Sequence, residues 1–574
     1  MEDVVLRGIA ASPGLVIGRV VVIGSPFLQV PSRSDSDDSN IDRWLAARKQ
    51  VSEELARMAQ DGGRDSSSQE TALLEAHGMM VMDPGLEESV RKMVADGSSA
   101  EGATHDAIEG YAVSMDGLED EYLRQRSSDV REMGTALLRV LAGQTPFPMA
   151  NLVSGSVLCA AELGAASLLM LNRTALGGIA LETGGPTSHV AILARSWGIP
   201  AVLGLAGLLS AVSEGDLVAL DGGRGELWVN PAGNERKRLE SDAKSYAREK
   251  RALAALRDRQ ALTIDGLDIE LLANIAGPQD LEPAVDAGAD GVGLFRTEFL
   301  VTGRRSLPSE QEQRDSYRQV LEGMKGRPVT VRTFDIGGDK PVPALDLEPE
   351  ANPFLGYRGI RIGLDRPEIL ATQFRALIAA AADGLPLRIM VPMVSTMEEV
   401  RQAREILVQA RSTVGPGSGD RISFGVMVET PAAALLARHI AREVDFFSIG
   451  TNDLVQYTMA ADRTNDRVAQ LYQPFHPAVL QLIGSVSDAA TGAGISCGIC
   501  GEMAGDPRAT ALLLGLGIRE LSMSPGSIPA VKRQIMRTSL ALAQQLAHQA
   551  LEKATASEVN GLVDRFLARH SDRP

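Results

Sequence analysis

The chain has 574 residues, beyond the ~250–300 at which single hydrophobic cores stop growing, so two or more domains are expected. Hydrophobic residues make up 44% and charged ones 23%, which excludes the disordered and collagen-like classes. Lys and Arg number 57 against 74 Asp and Glu, and a formal charge of −17 disfavours a nucleic-acid partner.

The first residues, Met1-Glu2-Asp3, are acidic and lack the cationic and apolar regions of a secretory signal. No run reaches the ~18 apolar residues that span a bilayer, so no membrane insertion is expected. Three cysteines, Cys159, Cys497 and Cys500, cannot build a disulfide framework and suit a reducing compartment. A cytoplasmic location is the expectation.

Residues 4–23 mix β-branched residues with Gly and Pro and read as short strands. From Asp42 to Leu141 the apolar period is helical, with Gly/Ser loops between segments, which predicts a small bundle. Strands and turns return from Ser154 to Val229, so the bundle is inserted within an α/β domain. Ala232 to Arg259 is charged and helix-prone, as a solvated connecting helix would be.

Eight apolar runs then alternate with helical stretches: they begin at Ile269, Gly291, Val329, Leu387, Ile422, Asp445, Gly494 and Glu520. That is the pattern of a (β/α)8 TIM barrel, with an insertion between the third and fourth runs. The fold class expected is multidomain α/β. It comprises an α/β domain (1–30 and 142–230) with a helical insert (31–141), a connecting helix (231–262) and a barrel (263–574).

Barrel active sites collect at the C-terminal strand ends. Arg296 follows the second run, Arg332 lies in the third, Glu429 ends the fifth, Asn452 and Asp453 follow the sixth, and Cys500 follows the seventh. Two carboxylates, Glu429 and Asp453, make a hard oxygen site for Mg²⁺ or Mn²⁺, while Arg296, Arg332 and Arg463 can surround a small anion. Each alone reads as a surface ion pair; six at successive strand ends argue for a site. Cys497-Gly498-Ile499-Cys500 lacks the second cysteine pair of a structural zinc site, leaving Cys500 as a single reactive thiol and Cys497 in the barrel wall.

A second constellation is Gly184-Gly185-Pro186-Thr187-Ser188-His189, followed by an apolar helical run that ends near Gly198-Ile199-Pro200. Thr187 or Ser188 can cap, so His189 starts a helix, where a phosphoryl group on its ring would meet unpaired N–H groups and the positive end of the helix dipole.

The blocks GGPTSHVAILAR, GLFRTEF, RTFDIGGDK, NPFLGYRGIRI, MVETPAA, IGTNDLVQYTMAADR and CGEMAGD resemble the signatures of the Enzyme I family, the phosphoenolpyruvate-protein phosphotransferases of the bacterial sugar phosphotransferase system. The resemblance runs nearly end to end, with the blocks in order. It implies a swivelling phosphohistidine domain in which His189 accepts the phosphoryl group through Nε2. It further implies Mg²⁺ on Glu429 and Asp453, phosphate on Arg296, Arg332, Arg463 and Asn452 with Arg358 and Lys340 nearby, and Cys500 protonating the enolate to pyruvate. The implied acceptor is the histidine phosphocarrier HPr, docked on the insert around Leu74 to Leu86, including Met79, Met80 and Met82, and on the helix Tyr122 to Arg131. The segment 230–262 is the implied hinge, and a homodimer through the barrel is implied as well. Where the family carries an Asp-Leu-Thr-Pro-Ser-like segment, this chain reads Glu162-Leu163-Gly164-Ala165-Ala166-Ser167, and Ser167 is the candidate for orienting the His189 ring; Val190 replaces a polar residue often found there. The alternatives are a non-catalytic signalling protein, or a relative serving another phosphocarrier.

Overall fold

The computed structural model describes residues 4–23, 37–61, 68–116, 121–147, 152–185 and 188–570, apart from 303, 305, 341, 349, 415–421, 464 and 466. The chain divides into two compact units, Met1–Lys250 and Arg251–Pro574.

The first unit is built on an eight-stranded sheet of β1 (Val4–Arg7), β2 (Ile9–Ser12), β3 (Leu15–Ile23), β4 (Ser156–Ala160), β5 (Leu176–Leu181), β6 (Ala201–Leu203), β7 (Leu217–Asp221) and β8 (Glu226–Val229), in the order β1-β8-β7-β3-β4-β5-β6-β2. Strands β3 to β6 run parallel, and β3 meets β4 with Val20 opposite Val157. Both faces are covered, as alternation along β4 shows: Leu158 and Ala160 enter one core, Val157 and Cys159 the other.

The crossover from β3 to β4 contains the helices α1 (Asp37–Asp61), α2 (Ser68–Val81), α3 (Pro84–Ala95), α4 (Ala100–Asp116) and α5 (Glu121–Leu141), so the expected helical insert is present. Their apolar faces close around Trp44, Val90 and Ile108 and around Val51, Leu55 and Leu137. Pro84 and the Asp83 side chain, which accepts from Leu86 N–H at 3.0 Å, set the start of α3. Buried Arg48 ties α1 to the α2–α3 turn by donating to Val81 O at 2.8 Å and Asp83 O at 3.1 Å.

On the α/β side, α6 (Ala165–Leu169) and α7 (His189–Trp197) cover one face of the sheet, with α8 (Leu208–Ala211) following β6. Ala166, Leu169 and Met170 also join the core of the insert, which forms a seam between the two layers. Helix α9 (Gly233–Ala254) buries Leu239 against Trp228 and is otherwise largely exposed, in accord with its charge-rich sequence.

The second unit is a closed barrel of eight parallel strands: β9 (Glu270–Ile275), β10 (Gly291–Phe295), β11 (Val329–Arg332), β12 (Leu387–Val391), β13 (Ile422–Val428), β14 (Phe446–Ile449), β15 (Ser496–Ile499) and β16 (Glu520–Met523), with β16 pairing β9. Every expected run is a strand, because parallel strands buried on both faces are near-continuously apolar. The expected insertion fills the connection between β11 and β12. Cys497 packs in the layer between strands and helices, whereas Cys500 joins Leu294, Met390, Met427 and Phe446 inside the barrel, so the two sulfurs face opposite ways. Among the described residues no helix is long and apolar enough to cross a membrane.

Candidate active site

Ser188 caps α7: its backbone is extended and its hydroxyl accepts from Ala191 N–H at 3.3 Å, while Gly198, at φ 64°, ends the helix in the left-handed region. Thr187, the other cap candidate, lies outside the described residues. The geometry puts His189 on the first turn, with its side chain one-third exposed.

Across the seam, His189 Nδ1 lies 3.2 Å from Asp129 Oδ1 on α5. Asp129 is buried, and burial alone would raise its carboxyl; the hydrogen bond from His189 and the nearby ring of His77 overcome this and hold it down at about 2. An ionised carboxylate only accepts, so Nδ1 carries the ring proton and Nε2 the lone pair. His77 on α2, fully buried, stands 3.7 Å from the same oxygen. One turn along α5, Glu132 accepts from Ser167 N–H and hydroxyl, both at 2.8 Å, and from Ala166 N–H at 3.3 Å. Burial raises the Glu132 carboxyl. Ser167 therefore gives its hydroxyl to Glu132, and it is Asp129, unforeseen in the sequence, that meets the ring at Nδ1. A carboxylate on a helix 60 residues upstream carries no local signal for this role.

The barrel strands deliver their terminal residues to one mouth: Arg296 directly follows β10, Arg332 ends β11, Glu429 follows β13 and Cys500 follows β15, with Asn452 and Asp453 on the first turn of the helix Thr451–Met459 after β14. Arg332 and Arg358 are almost fully buried, which demands counter-charge. Asp335 supplies it. It accepts from Arg358 Nη2 at 2.9 Å and Nε at 3.2 Å, from Lys340 Nζ, and lies 3.4 Å from Arg332 Nη1. Burial would raise the Asp335 carboxyl, but Arg332, Lys340 and Arg358 hold it far below the carboxylate range. Glu298 pairs with Arg332 Nη2, and Asp339 accepts from Arg358 Nη1 at 2.9 Å. Both Asp335 and Glu298 sit inside blocks noted in the sequence, where nothing marked them as the cations' partners.

Glu429 accepts from Met393 N–H at 2.7 Å, and Met393 holds the left-handed φ of 59° that aims this N–H. Burial first, and then Asp453 and Asp335, push the Glu429 carboxyl up to about 8. Asp453 Oδ1 is buried without a hydrogen-bond partner among the described residues, with Arg463 Nη2 at 3.9 Å. Two close carboxylates, one with an orphaned oxygen, are an environment that a hard divalent cation relieves. Among the described residues no group of three or more His, Cys, Asp or Glu side chains forms a complete metal cage, so such an ion would keep water or substrate oxygens as ligands.

The Asn452 side chain is engaged with Glu502, accepting from its N–H at 2.9 Å and donating to Oε1 at 3.3 Å; what Asn452 offers the mouth is its N–H at a helix start. Arg296 is exposed. The Cys500 thiol faces the Ile449 carbonyl at 3.7 Å and is pushed up to about 11 by burial, so it remains a proton-bearing SH near neutral pH.

Three family models match the chain: PEP-utilising enzyme, N-terminal, over residues 7–126; PEP-utilising enzyme, mobile domain, over 152–225; and PEP-utilising enzyme, PEP-binding domain, over 250–540. The phosphoenolpyruvate-protein phosphotransferase of Listeria monocytogenes is 40% identical over 571 residues, covering 98% of this chain and 99% of the relative. Those of Haemophilus influenzae and Geobacillus stearothermophilus are 39% and 41% identical over 573 residues, covering 99% of this chain and 100% and 99% of the relatives.

The chain belongs to the phosphoenolpyruvate-protein phosphotransferase family.

Within that family frame, the mobile-domain match contains His189 and α7, and the PEP-binding match contains the whole strand-end cluster from Arg296 to Cys500. The N-terminal match contains α2, on which Met79 is exposed and Met80 packs toward the insert's core, and Met82, exposed in the turn that follows.

Proposed function

We propose that this phosphotransferase moves the phosphoryl group of phosphoenolpyruvate onto His189 Nε2, releases pyruvate, and then passes the group to the histidine of the phosphocarrier HPr. The observation that carries the reading is the buried, ionised Asp129 on Nδ1: it fixes the tautomer that makes Nε2 the nucleophile. The start of α7 then offers backbone N–H groups to the phosphoryl oxygens.

In the barrel, Arg296, Arg332, Arg358, Arg463, Lys340 and the Asn452 N–H bind the phosphate and carboxylate of the substrate. Phosphoryl transfer needs neutralisation of the moving oxygens more than covalent help, and guanidinium groups held in place by Asp335 and Glu298 provide it without reorganising. Glu429 and Asp453 would hold Mg²⁺, or Mn²⁺, which supplies charge to the phosphoryl and enolate oxygens when bound. Cys500 donates its proton to the methylene carbon of the enolate; its buried SH is an acid that stays loaded at neutral pH. The segment 230–262 is the hinge that lets His189 serve both partners, HPr docks on the insert around exposed Met79 and Met82, and the enzyme acts in the cytoplasm as a barrel-to-barrel homodimer.

Intact-mass measurement tests this. With phosphoenolpyruvate and Mg²⁺ the enzyme gains one acid-labile phosphoryl group; His189→Ala gains none, and a chelator suppresses the gain. Equal labelling of parent and His189→Ala would remove His189 from the mechanism.

A further inference from the structure

His77 is fully buried on α2, and neither of its ring nitrogens has a hydrogen-bond partner among the described residues. The second oxygen of Asp129, Oδ2, is likewise buried and without one. Burying an imidazole unbonded is unfavourable, and such groups call for an explanation other than stability. Its charged neighbour at ion-pair distance is Asp129, at 3.7 Å, through the same Oδ1 that holds His189 at 3.2 Å.

The two imidazoles differ in what carries them. His189 stands on α7 of the α/β layer; His77 and Asp129 both stand on the insert, which joins that layer by the two crossings after β3 and before β4. If the two layers turn on these crossings as His189 leaves to collect its phosphoryl group, Asp129 becomes a buried carboxylate stripped of the hydrogen bond from His189 Nδ1, a costly state. An imidazole already beside it, 3.7 Å away and otherwise unbonded among the described residues, needs to move by less than 1 Å to reach ordinary hydrogen-bond distance (about 2.9 Å).

We propose that His77 is a positioning residue that takes over Asp129 whenever His189 leaves, so that the carboxylate holds His189 for transfer to the carrier yet releases it readily toward phosphoenolpyruvate. The inference rests on His189 being the phosphoacceptor.

The test separates the two half-reactions. In His77→Ala, release of His189 strands Asp129, so His189 labelling by saturating phosphoenolpyruvate slows by about tenfold or more. Discharge of the phosphoenzyme to HPr stays within about twofold, since it needs no release. His77→Gln, which can donate to Asp129, restores the labelling rate. In His189→Ala, the ¹⁵N signals of the His77 ring shift to the hydrogen-bonded form. Unchanged half-reactions in His77→Ala, a parallel loss of both together with a lowered Tm, or failure of Gln to restore would each overturn the proposal. A parent enzyme that takes no label from phosphoenolpyruvate would instead defeat the assignment of His189.

Discussion

Replacing Asp129 by Asn keeps shape and removes charge, and it tests the tautomer argument directly. The amide can offer N–H to Nδ1, which moves the ring proton to Nε2 and takes away the nucleophilic lone pair. A hydrogen bond to a charged group contributes about 1.5–3 kcal/mol, so losing it costs at least ~10-fold to 100-fold in the population of the reactive ring, before any further loss from the wrong tautomer. Rapid-quench labelling of His189 should therefore fall by about 100-fold, with the KM for phosphoenolpyruvate unchanged because Asp129 belongs to the other compact unit and is not one of the residues proposed to bind the substrate. Stability supplies an independent check. Held near 2 instead of its usual 3.8, the Asp129 carboxyl contributes about 2 kcal/mol of stability, present in full above pH ~4 and lost as pH falls toward 2. Denaturation at pH 6 and pH 3 should show the parent losing part of an advantage over Asp129→Asn that it holds at the higher pH. Labelling within threefold of the parent, at any pH between 6 and 8, would show that Asp129 does not set the tautomer of His189.

Asp335→Ala leaves Arg358 buried without its main partner and should lower stability by about 3–5 kcal/mol, read as a large drop in Tm, together with a loss of phosphoenolpyruvate binding. Cys500→Ala should still transfer phosphorus to His189, but the enolate then picks up its proton from solvent; pyruvate formed in tritiated water from stereospecifically deuterated phosphoenolpyruvate carries a chiral methyl group in the parent and a racemic one in the variant, and retained chirality in the variant would remove the thiol from the step. In the parent, Mg²⁺ alone should raise Tm by binding the folded state, and Glu429→Gln should abolish that rise.

The barrel was legible because burial on both faces turns each strand into a short apolar run, and because helices of similar length separate the runs. Arg296, Glu429, Asp453 and Cys500 were legible for the same reason: once a run is a strand, the residue after it belongs to the mouth. His189 could be read from glycines and a capping serine, all local features. Asp335 and Glu298 were not, since an acidic side chain in a loop looks the same whether it meets water or a buried guanidinium. Ser167 was the wrong candidate for the ring because nearness along the sequence says nothing of Glu132, whose carboxylate claims its hydroxyl from across the seam.

Near neighbours along the chain encode the periods of strands and helices, the cap before His189, and the order of residues at the strand tips. Which charges meet is a matter of long-range packing. Asp129, His77 and His189 come from three helices and lie at least 52 residues apart in sequence, and the choice of partner for a buried charge follows from packing of whole layers, which no local pattern encodes.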